Sequence, residues 1–347
     1  MERARDAEGR RLLTLFGPLR TCLARHGALL WWLHSAYALA LGAGITWLGA
    51  RNFSWLRYSG FYLVAIWALS LFLANVVQSR DGAWWGRARF VVNYVNKNLY
   101  QQLLFFILPI YAGSATWPSP NVVFLVLLAA SAVLSTLDMV YDRVLSAHRR
   151  LAAAFFAFNV FAVVNVALPV MFGISAQRSG RLAAVAAAAG LASLSSRIPR
   201  VGRARAWAGV AAGAVLAVLA GELGRPLVPP APLRLMSSAF GSSLDRGAMR
   251  IAEPLAALPA RAGGRVYAVA AVRAPLGLEE HVQLRWYRDA VLVSASAAYA
   301  LSGGRREGYR LWSSVDLAGS ARAKVLRLDV VTAGGQLVGR TELRAAR

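Results

Sequence analysis

The sequence predicts an α-helical, multi-pass membrane bundle followed by a small all-β antiparallel sandwich domain. Between residues 27 and 222 it is a series of apolar blocks. Each block has about the 20 residues that a helix needs to cross the hydrocarbon core of a bilayer. Short arginine-bearing breaks separate the blocks. Beyond residue 263 the pattern changes to short runs in which apolar and polar residues alternate, which is typical of strands with one buried face.

Composition agrees with a membrane protein and argues against other classes. Of the 347 residues 57% are hydrophobic, and the mean hydropathy is +0.47. A formal net charge of +23 suggests nucleic-acid binding in a soluble protein. Here the arginines fall mostly between apolar blocks, where membrane topology explains them, so no nucleic-acid partner is expected. The single cysteine, Cys22, excludes an internal disulfide, and its basic surroundings leave either a free thiol or palmitoylation open.

The apolar blocks predict about seven spans, and the loop charges predict their direction. With the N-terminus in the cytoplasm, 17 arginine and lysine residues fall on the inner side and 4 in the outer loops. The positive-inside rule then places the C-terminal third outside the membrane. The sixth span is rich in alanine, which leaves open whether it crosses the membrane fully. The predicted spans are 28–49, 54–77, 99–117, 121–143, 150–174, 181–197 and 206–222.

Four regions follow from this pattern. Residues 1–26 form a basic cytoplasmic segment, and 27–222 form the transmembrane helical domain. Within the latter, residues 79–98 predict a helix that lies on the membrane surface, with Trp84 and Trp85 at headgroup depth. Residues 223–262 are mixed in pattern and contain several prolines, so they are interpreted as a linker. Residues 263–347 contain six strand-like runs separated by glycine-containing turns, which predict the sandwich.

Two stretches resemble uncharacterised bacterial families. The C-terminal region resembles domain of unknown function 2914, through WYRD at 286–289, GGRREGYR at 303–310, WSS at 312–314 and GQLVG at 335–339. The membrane region resembles domain of unknown function 5924, which often precedes it, through NKNLYQQLLFFILPIYAGSATWPSPN and the stretch 138–143. The resemblance covers most of the chain and implies no chemistry. Leu284 and Ala290 depart from the first pattern, where a histidine and a glycine are usual; an alanine makes the hairpin turn less ideal.

Few residues offer catalytic or metal chemistry. The four histidines are scattered, no Cys/His cluster or nucleotide-binding loop is present, and no cofactor is expected. Asp138 and Asp142 lie one helical turn apart, so they are candidate binding residues, with ion pairing to nearby arginines as the alternative. In the outer domain, arginines, aspartates and tyrosines crowd neighbouring hairpins and form a candidate ligand surface. These candidate binding residues are Arg285, Tyr287, Asp289 and Tyr309.

The functional prediction is an integral membrane protein of the bacterial cell envelope, in the inner membrane. The bundle would contact membrane lipids and anchor an extracytoplasmic sandwich that binds a protein partner or an envelope polysaccharide. One alternative is a membrane enzyme acting on a lipid-linked or polysaccharide substrate, with Asp138, Asp142 or Glu222 as candidate acids. A transporter is the other alternative.

Overall fold

The chain forms a group of helices packed against a two-sheet β-sandwich in a computed structural model. The structure describes residues 82–137, 148–195, 203–258, 264–317 and 324–345. It also describes residues 29, 32–33, 35–47, 58, 61, 65 and 76, all of which are helical. The helices and strands named below are those of these described residues.

Five named α-helices alternate in direction, and a short 3₁₀-helix follows them. The helices are α1 (Ala83–Ser114), α2 (Val122–Thr136), α3 (Arg149–Phe172), α4 (Ala176–Ser195) and α5 (Arg203–Leu223), and the 3₁₀-helix spans Arg225–Leu227. Helix α4 packs between α3 and α5, and α1 packs against α2 and α3. Their shared core is built around Tyr111 and Phe124, whose ring centroids lie 4.8 Å apart.

The prediction of a seven-span bundle is wrong. Among the described residues only α3 contains a segment long and apolar enough to cross a membrane, Arg150–Phe172, with a mean hydropathy of 2.2. Helix α2 has 15 residues and is therefore about 22 Å long, short of the roughly 30 Å hydrocarbon core. Only the 13 residues Ala211–Leu223 of α5 are strongly apolar. Helix α4 is rich in alanine and has Arg178 and Arg181 in its first two turns, so it is not a candidate membrane span either.

Helix α1 also differs from the predicted pattern. The surface helix predicted over 79–98 and the third predicted span form one continuous helix of 32 residues. No glycine or proline separates the two stretches, and polar side chains such as Asn96 and Lys97 do not end a helix. Pro109 lies inside the helix. In the first predicted span, residues 29, 32–33 and 35–47 are described and helical, whereas the second predicted span lies mostly, and the segment 1–26 wholly, outside the described residues.

The sandwich consists of two antiparallel sheets. The first has the strand order β2-β1-β3-β7, from β1 (Arg234–Asp245), β2 (Arg250–Pro254), β3 (Arg265–Arg273) and β7 (Tyr309–Asp316). The second has the order β5-β4-β8-β9, and β6 also pairs with β4. Its strands are β4 (Glu280–Arg288), β5 (Val291–Ala295), β6 (Tyr299–Leu301), β8 (Val325–Thr332) and β9 (Leu337–Arg344). The alternating runs beyond residue 263 therefore do form strands.

Trp286 lies at the centre of the sandwich core and is fully buried. Its indole Nε1 donates to Ser313 Oγ on the opposite sheet at 3.1 Å. The ring of Phe240, from β1, lies 5.8 Å from the Trp286 ring, centroid to centroid. A buried tryptophan with a partner for its N–H is the arrangement that avoids an unpaired polar group in an apolar core.

The interpretation of 223–262 as a linker is wrong for most of its length. Strand β1 is an inner strand of the first sheet, paired with both β2 and β3, and Leu233 and Phe240 belong to the sandwich core. Register shifts interrupt β1 between Leu235 and Ser237 and again beyond Gly241. Because each shift breaks the two-residue alternation, the strand does not show the pattern that identifies the others. Pro254 ends β2, an edge strand, where a proline removes no ladder hydrogen bond.

Candidate functional site

The helices meet the sandwich at one end, along a surface that we call the seam. The α1–α2 connection, the α3–α4 connection and the segment after α5 all lie at this end and contact strands or turns of the sandwich. The last residues of α2 and α4 and the first residues of α3 and α5 lie about one helix length away from this end. The seam is defined here by Asn121, Ala176, Arg225, Glu280 and Gln336.

Glu280 forms a buried contact of the seam. Its side chain is 4% exposed, and its Oε2 accepts a hydrogen bond from the backbone N–H of Ala176 at 2.7 Å. Ala176 begins α4, so the carboxylate lies at a helix N-terminus, where unpaired N–H groups and the helix dipole favour a negative charge. Burial raises the pKa of Glu280, while the hydrogen bonds from the N–H groups of Ala176 and His281 oppose that rise.

The α3–α4 connection requires a glycine for this contact to form. Gly173 has φ of 68° and follows the last residue of α3. A Cβ at this position would lie 2.2 Å from the carbonyl oxygen of Gly277 in the β3–β4 turn. The carbonyl oxygen of Gly173 accepts the N–H of Glu279 at 3.2 Å. A larger residue would therefore separate the α3–α4 connection from the sandwich.

A second seam contact joins the α1–α2 connection to β9. Asn121 is fully buried, and its Nδ2 donates to the carbonyl oxygen of Leu337 at 3.3 Å. Its Oδ1 accepts from the Thr116 N–H and the Ser119 hydroxyl, at 3.1 and 2.8 Å. One amide side chain thus holds its own loop in shape and attaches that loop to the sandwich.

Arg340 supports the same contact from the sandwich side. Its guanidinium makes a two-point ion pair with Asp329, with both N–O distances 2.8 Å. The Asp329 hydrogen bond raises the pKa of Arg340, because it stabilises the charged form. Nη1 of the same group approaches the Pro118 carbonyl oxygen at 3.5 Å. Asp329 is 4% exposed, so this pair is largely shielded from solvent screening.

Glu222, one of the candidate acids, lies between two arginines at the end of α5. Its Oε1 accepts from Arg181 Nε at 2.6 Å and also from Arg225 Nη2. Arg225 Nη1 in turn donates to the Gly334 carbonyl oxygen of the sandwich at 3.3 Å. The adjoining cavity has a volume of about 10 Å³, room for roughly one water molecule and not for a substrate. The arrangement is that of a structural ion pair at the seam.

The other sequence-predicted site residues that the structure describes do not converge on one site. Asp138 and Asp142 lie outside the described residues. Arg285 and Tyr287 lie on the outer face of the second sheet, where the guanidinium of Arg327 stacks 4.2 Å from the Tyr287 ring centroid. Tyr309 belongs to the first sheet.

Asp289 has a structural role in the β4–β5 turn. Its Oδ1 accepts the backbone N–H groups of Lys324 and Val325, both at 3.0 Å. Asp289 and Ala290 form this two-residue turn with φ values of 43° and 74°. Both values lie in the left-handed region, so the turn does require positive φ where the sequence has alanine in place of the more usual glycine.

An open groove in the sandwich brings together residues that sequence reasoning missed. It lies between the β1–β2 turn and the β6–β7 loop and has a volume of about 600 Å³. Tyr309 lines it, with the Arg305 guanidinium 5.2 Å from the ring centroid. The arginines and the one carboxylate of the groove are Arg250, Arg305, Arg306, Arg310 and Glu307.

The β1–β2 turn forms one wall of the groove because it folds back over the first sheet. Arg310 Nη1 donates to the Ala248 carbonyl oxygen at 3.3 Å, and the guanidinium of Arg246 lies 5.3 Å from the Trp312 ring centroid. The wall lies in the region interpreted as a linker, so the convergence was not visible in the sequence. The signal that existed was the density of arginines at 246–250 and 305–310.

Across the described ranges, no group of three or more His, Cys, Asp or Glu side chains is placed to hold a metal ion.

No curated protein and no solved structure shows significant similarity to the chain. A family model does match residues 19–263, which include the described helices and the first two strands of the sandwich. The chain belongs to this family, the family of unknown function DUF5924.

Proposed function

We propose that the protein is a non-enzymatic component of the bacterial cell envelope, in which the helices attach to the inner membrane and carry the sandwich on its outer side. The sandwich binds a protein partner or an envelope polymer in this proposal. The resemblance of the C-terminal strands to domain of unknown function 2914 is compatible with a separate binding unit.

The observation that carries the proposal is the apolar surface of the helices. Large apolar side chains are more than half exposed on α2, α3 and α5, whereas large apolar side chains of the sandwich lie mostly in its core. Large apolar side chains exposed on several helices are typical of a membrane or protein contact. The exposed residues are Val123, Val126, Leu127, Phe172, Val215, Leu216, Leu219 and Leu223.

The distribution of arginine supports the proposed direction. Helix α3, which contains the one candidate span among the described residues, ends at the seam and begins at the opposite end with Arg149 and Arg150. Helix α5 begins at that same end with Arg203 and Arg205, and Arg143 precedes α3 in the sequence. Basic residues near helix ends favour the cytoplasmic side. The seam and the sandwich then lie on the extracytoplasmic side.

The surroundings of Glu222 favour a structural role over catalysis. Its carboxylate is engaged by two guanidinium groups, and its neighbouring cavity has no room for a saccharide or lipid substrate. The same contacts join α4, α5 and the sandwich, which is what a carrier of an outer domain requires.

Extraction of membranes tests the attachment. We expect the full chain to remain in the membrane pellet after washing with alkaline carbonate, and to be released by detergent. Release by carbonate alone would contradict attachment through apolar helices. The matched comparison is Leu216→Lys/Leu219→Lys on the exposed face of α5, which should weaken retention, against Ser302→Lys on the sandwich, which should not.

A second experiment tests the non-enzymatic role. The double variant Asp138→Asn/Asp142→Asn removes both carboxylates and keeps the size of the side chains. We expect cells that carry it to match the wild type in a growth assay under envelope stress where deletion of the protein has an effect. Loss of function with normal insertion would favour an enzyme or a coupled transporter.

A further inference from the structure

We propose that a strip of arginines along the first sheet binds a phosphate-bearing headgroup of an anionic lipid in the same membrane. This arginine strip consists of Arg234, Arg273, Arg306, Arg305, Arg310 and Arg250. The inference rests on the proposed membrane attachment and adds to it a binding site and a ligand class.

The strip begins at the helix ends. Arg234 is the first residue of β1, and its Cδ lies 3.4 Å from the position of a Cβ on Gly113, in the last turn of α1. Arg273 pairs in register with Arg234 at the end of β3. The strip therefore starts where the helices end, which is headgroup depth if the helices are embedded.

The strip then continues from the seam into the groove. The β6–β7 loop lies against the end of β3, where Gly308 approaches Val272, the residue before Arg273. Burial lowers the pKa of Arg273, and the positive charges of Arg234 and Arg306 lower it further. Arg306 lines the groove with Arg250, Arg305 and Arg310. A continuous basic surface thus connects the seam with an open groove of about 600 Å³.

The positive charge of the groove is not balanced by the described protein. Glu307 is the one carboxylate in its lining, and it pairs with Arg310 at 3.3 Å. Within the described ranges, Arg250, Arg305 and Arg306 form no ion pair. Three unpaired guanidinium groups around one open groove are a site for an anion with several oxygens.

Arginine chemistry and location together favour a lipid phosphate. The planar guanidinium offers two parallel N–H groups to a phosphate oxygen pair, and several such groups suit a ligand with more than one charge. Leu276 is 72% exposed beside the β6–β7 loop, in the same β3–β4 turn that contacts Gly173 at the end of α3. Basic and exposed apolar side chains at the level of the helix ends are the combination that meets the headgroup region of a bilayer.

The experiment uses the full chain in a neutral detergent. Binding of phosphatidylglycerol, of zwitterionic phosphatidylcholine and of soluble tripolyphosphate is measured by native mass spectrometry and by titration. The test variant is Arg305→Gln/Arg306→Gln. The matched control is Arg265→Gln/Arg344→Gln, which removes two exposed arginines from other parts of the sandwich. The unfolding temperature of each variant verifies its fold.

We expect wild type and control to prefer phosphatidylglycerol over phosphatidylcholine, and Arg305→Gln/Arg306→Gln to lose about tenfold or more in phosphatidylglycerol affinity. Equal affinity in both double variants overturns the site. Binding of tripolyphosphate without phosphatidylglycerol overturns the lipid as its source.

The two proposals fail in different ways. Retention in carbonate-washed membranes with arginine-independent lipid binding refutes the strip alone. Release by carbonate together with arginine-dependent binding in detergent refutes the membrane attachment and, with it, the assignment to a lipid of the same membrane.

Discussion

The carboxylate of Glu280 accepts a hydrogen bond from the backbone N–H of Ala176 at 2.7 Å, and this contact joins the first residue of β4 to the first residue of α4. It places a negative charge at the N-terminus of a helix that lies 104 residues earlier in the chain. The sandwich is therefore attached to the helices by a specific polar contact in addition to the chain connection after α5.

This contact predicts a pH dependence. Burial raises the pKa of Glu280, so the folded protein binds the proton more tightly than the unfolded chain does. This contribution to the free energy of unfolding is fully present at low pH. It is lost as the pH rises from about 4.3, the pKa of glutamate in an unfolded chain, through the raised pKa of Glu280 in the folded protein. The unfolding temperature of the wild type should therefore fall relative to that of Glu280→Gln as the pH rises towards 7.

Glu279→Gln is the control for this pH series. Glu279 is adjacent and exposed, so its variant should follow the wild type across the whole pH range. The measurement is the unfolding temperature of detergent-solubilised protein at a series of pH values. A wild type that gains stability over Glu280→Gln as the pH rises would show that the helix terminus outweighs the cost of burial.

The sandwich should fold only when β1 is present. Strand β1 pairs with β2 and β3 and supplies Phe240 to the core, so the fragment 264–347 lacks an inner strand. We expect that fragment to be unfolded and the fragment 229–347 to give the dispersed amide spectrum of a folded β protein. Dispersed spectra from both fragments would contradict the assignment of β1 to the sandwich core.

Ala290→Gly should stabilise the β4–β5 hairpin. Ala290 has φ of 74°, and an L-residue other than glycine in the left-handed region costs about 1 kcal/mol. We expect a gain of up to about 1 kcal/mol in the free energy of unfolding, measured on the fragment 229–347 by urea denaturation. Ala298→Gly, in an exposed loop without positive φ, should give no gain.

Ser313→Ala should destabilise the sandwich by about 1 to 3 kcal/mol, because it leaves the buried N–H of Trp286 without its partner. Ser314→Ala provides the control, since that side chain lies on the outer face. The same urea series measures both variants. A loss of equal size in the two variants would contradict a specific role for the inter-sheet hydrogen bond.

The helices show where hydropathy alone misleads. The length of an apolar run is a local property, and it does not determine the number of membrane spans. Helix α2 ends at Thr136, after 15 residues, and helix α1 joins a polar half and an apolar half in one continuous helix. A hydropathy window shows neither where α2 ends nor that the two halves of α1 are continuous. Helix direction and the break at Gly173 depend on contacts with the sandwich, which no local window contains.

The strands were predictable where alternation was regular and not where bulges interrupted it. Strand β4 alternates cleanly around Trp286, whereas three register shifts interrupt β1. The candidate groove was the hardest feature to predict, because it forms only where the β1–β2 turn folds back to Arg310. Residue type alone made Asp289 and Tyr287 candidate binding residues. In the structure their side chains make contacts within the sandwich, with Lys324 and Arg327 respectively.

The most direct test of the central claim is the location of the sandwich relative to the membrane. The natural sequence has one cysteine, Cys22, near the N-terminus, and Ser302→Cys in a Cys22→Ser background places one thiol at an exposed position of the sandwich. Both proteins are treated with a membrane-impermeant maleimide in intact spheroplasts. We predict labelling of Ser302→Cys without permeabilisation and of Cys22 only after it. Protection of Ser302→Cys until permeabilisation would contradict an extracytoplasmic sandwich.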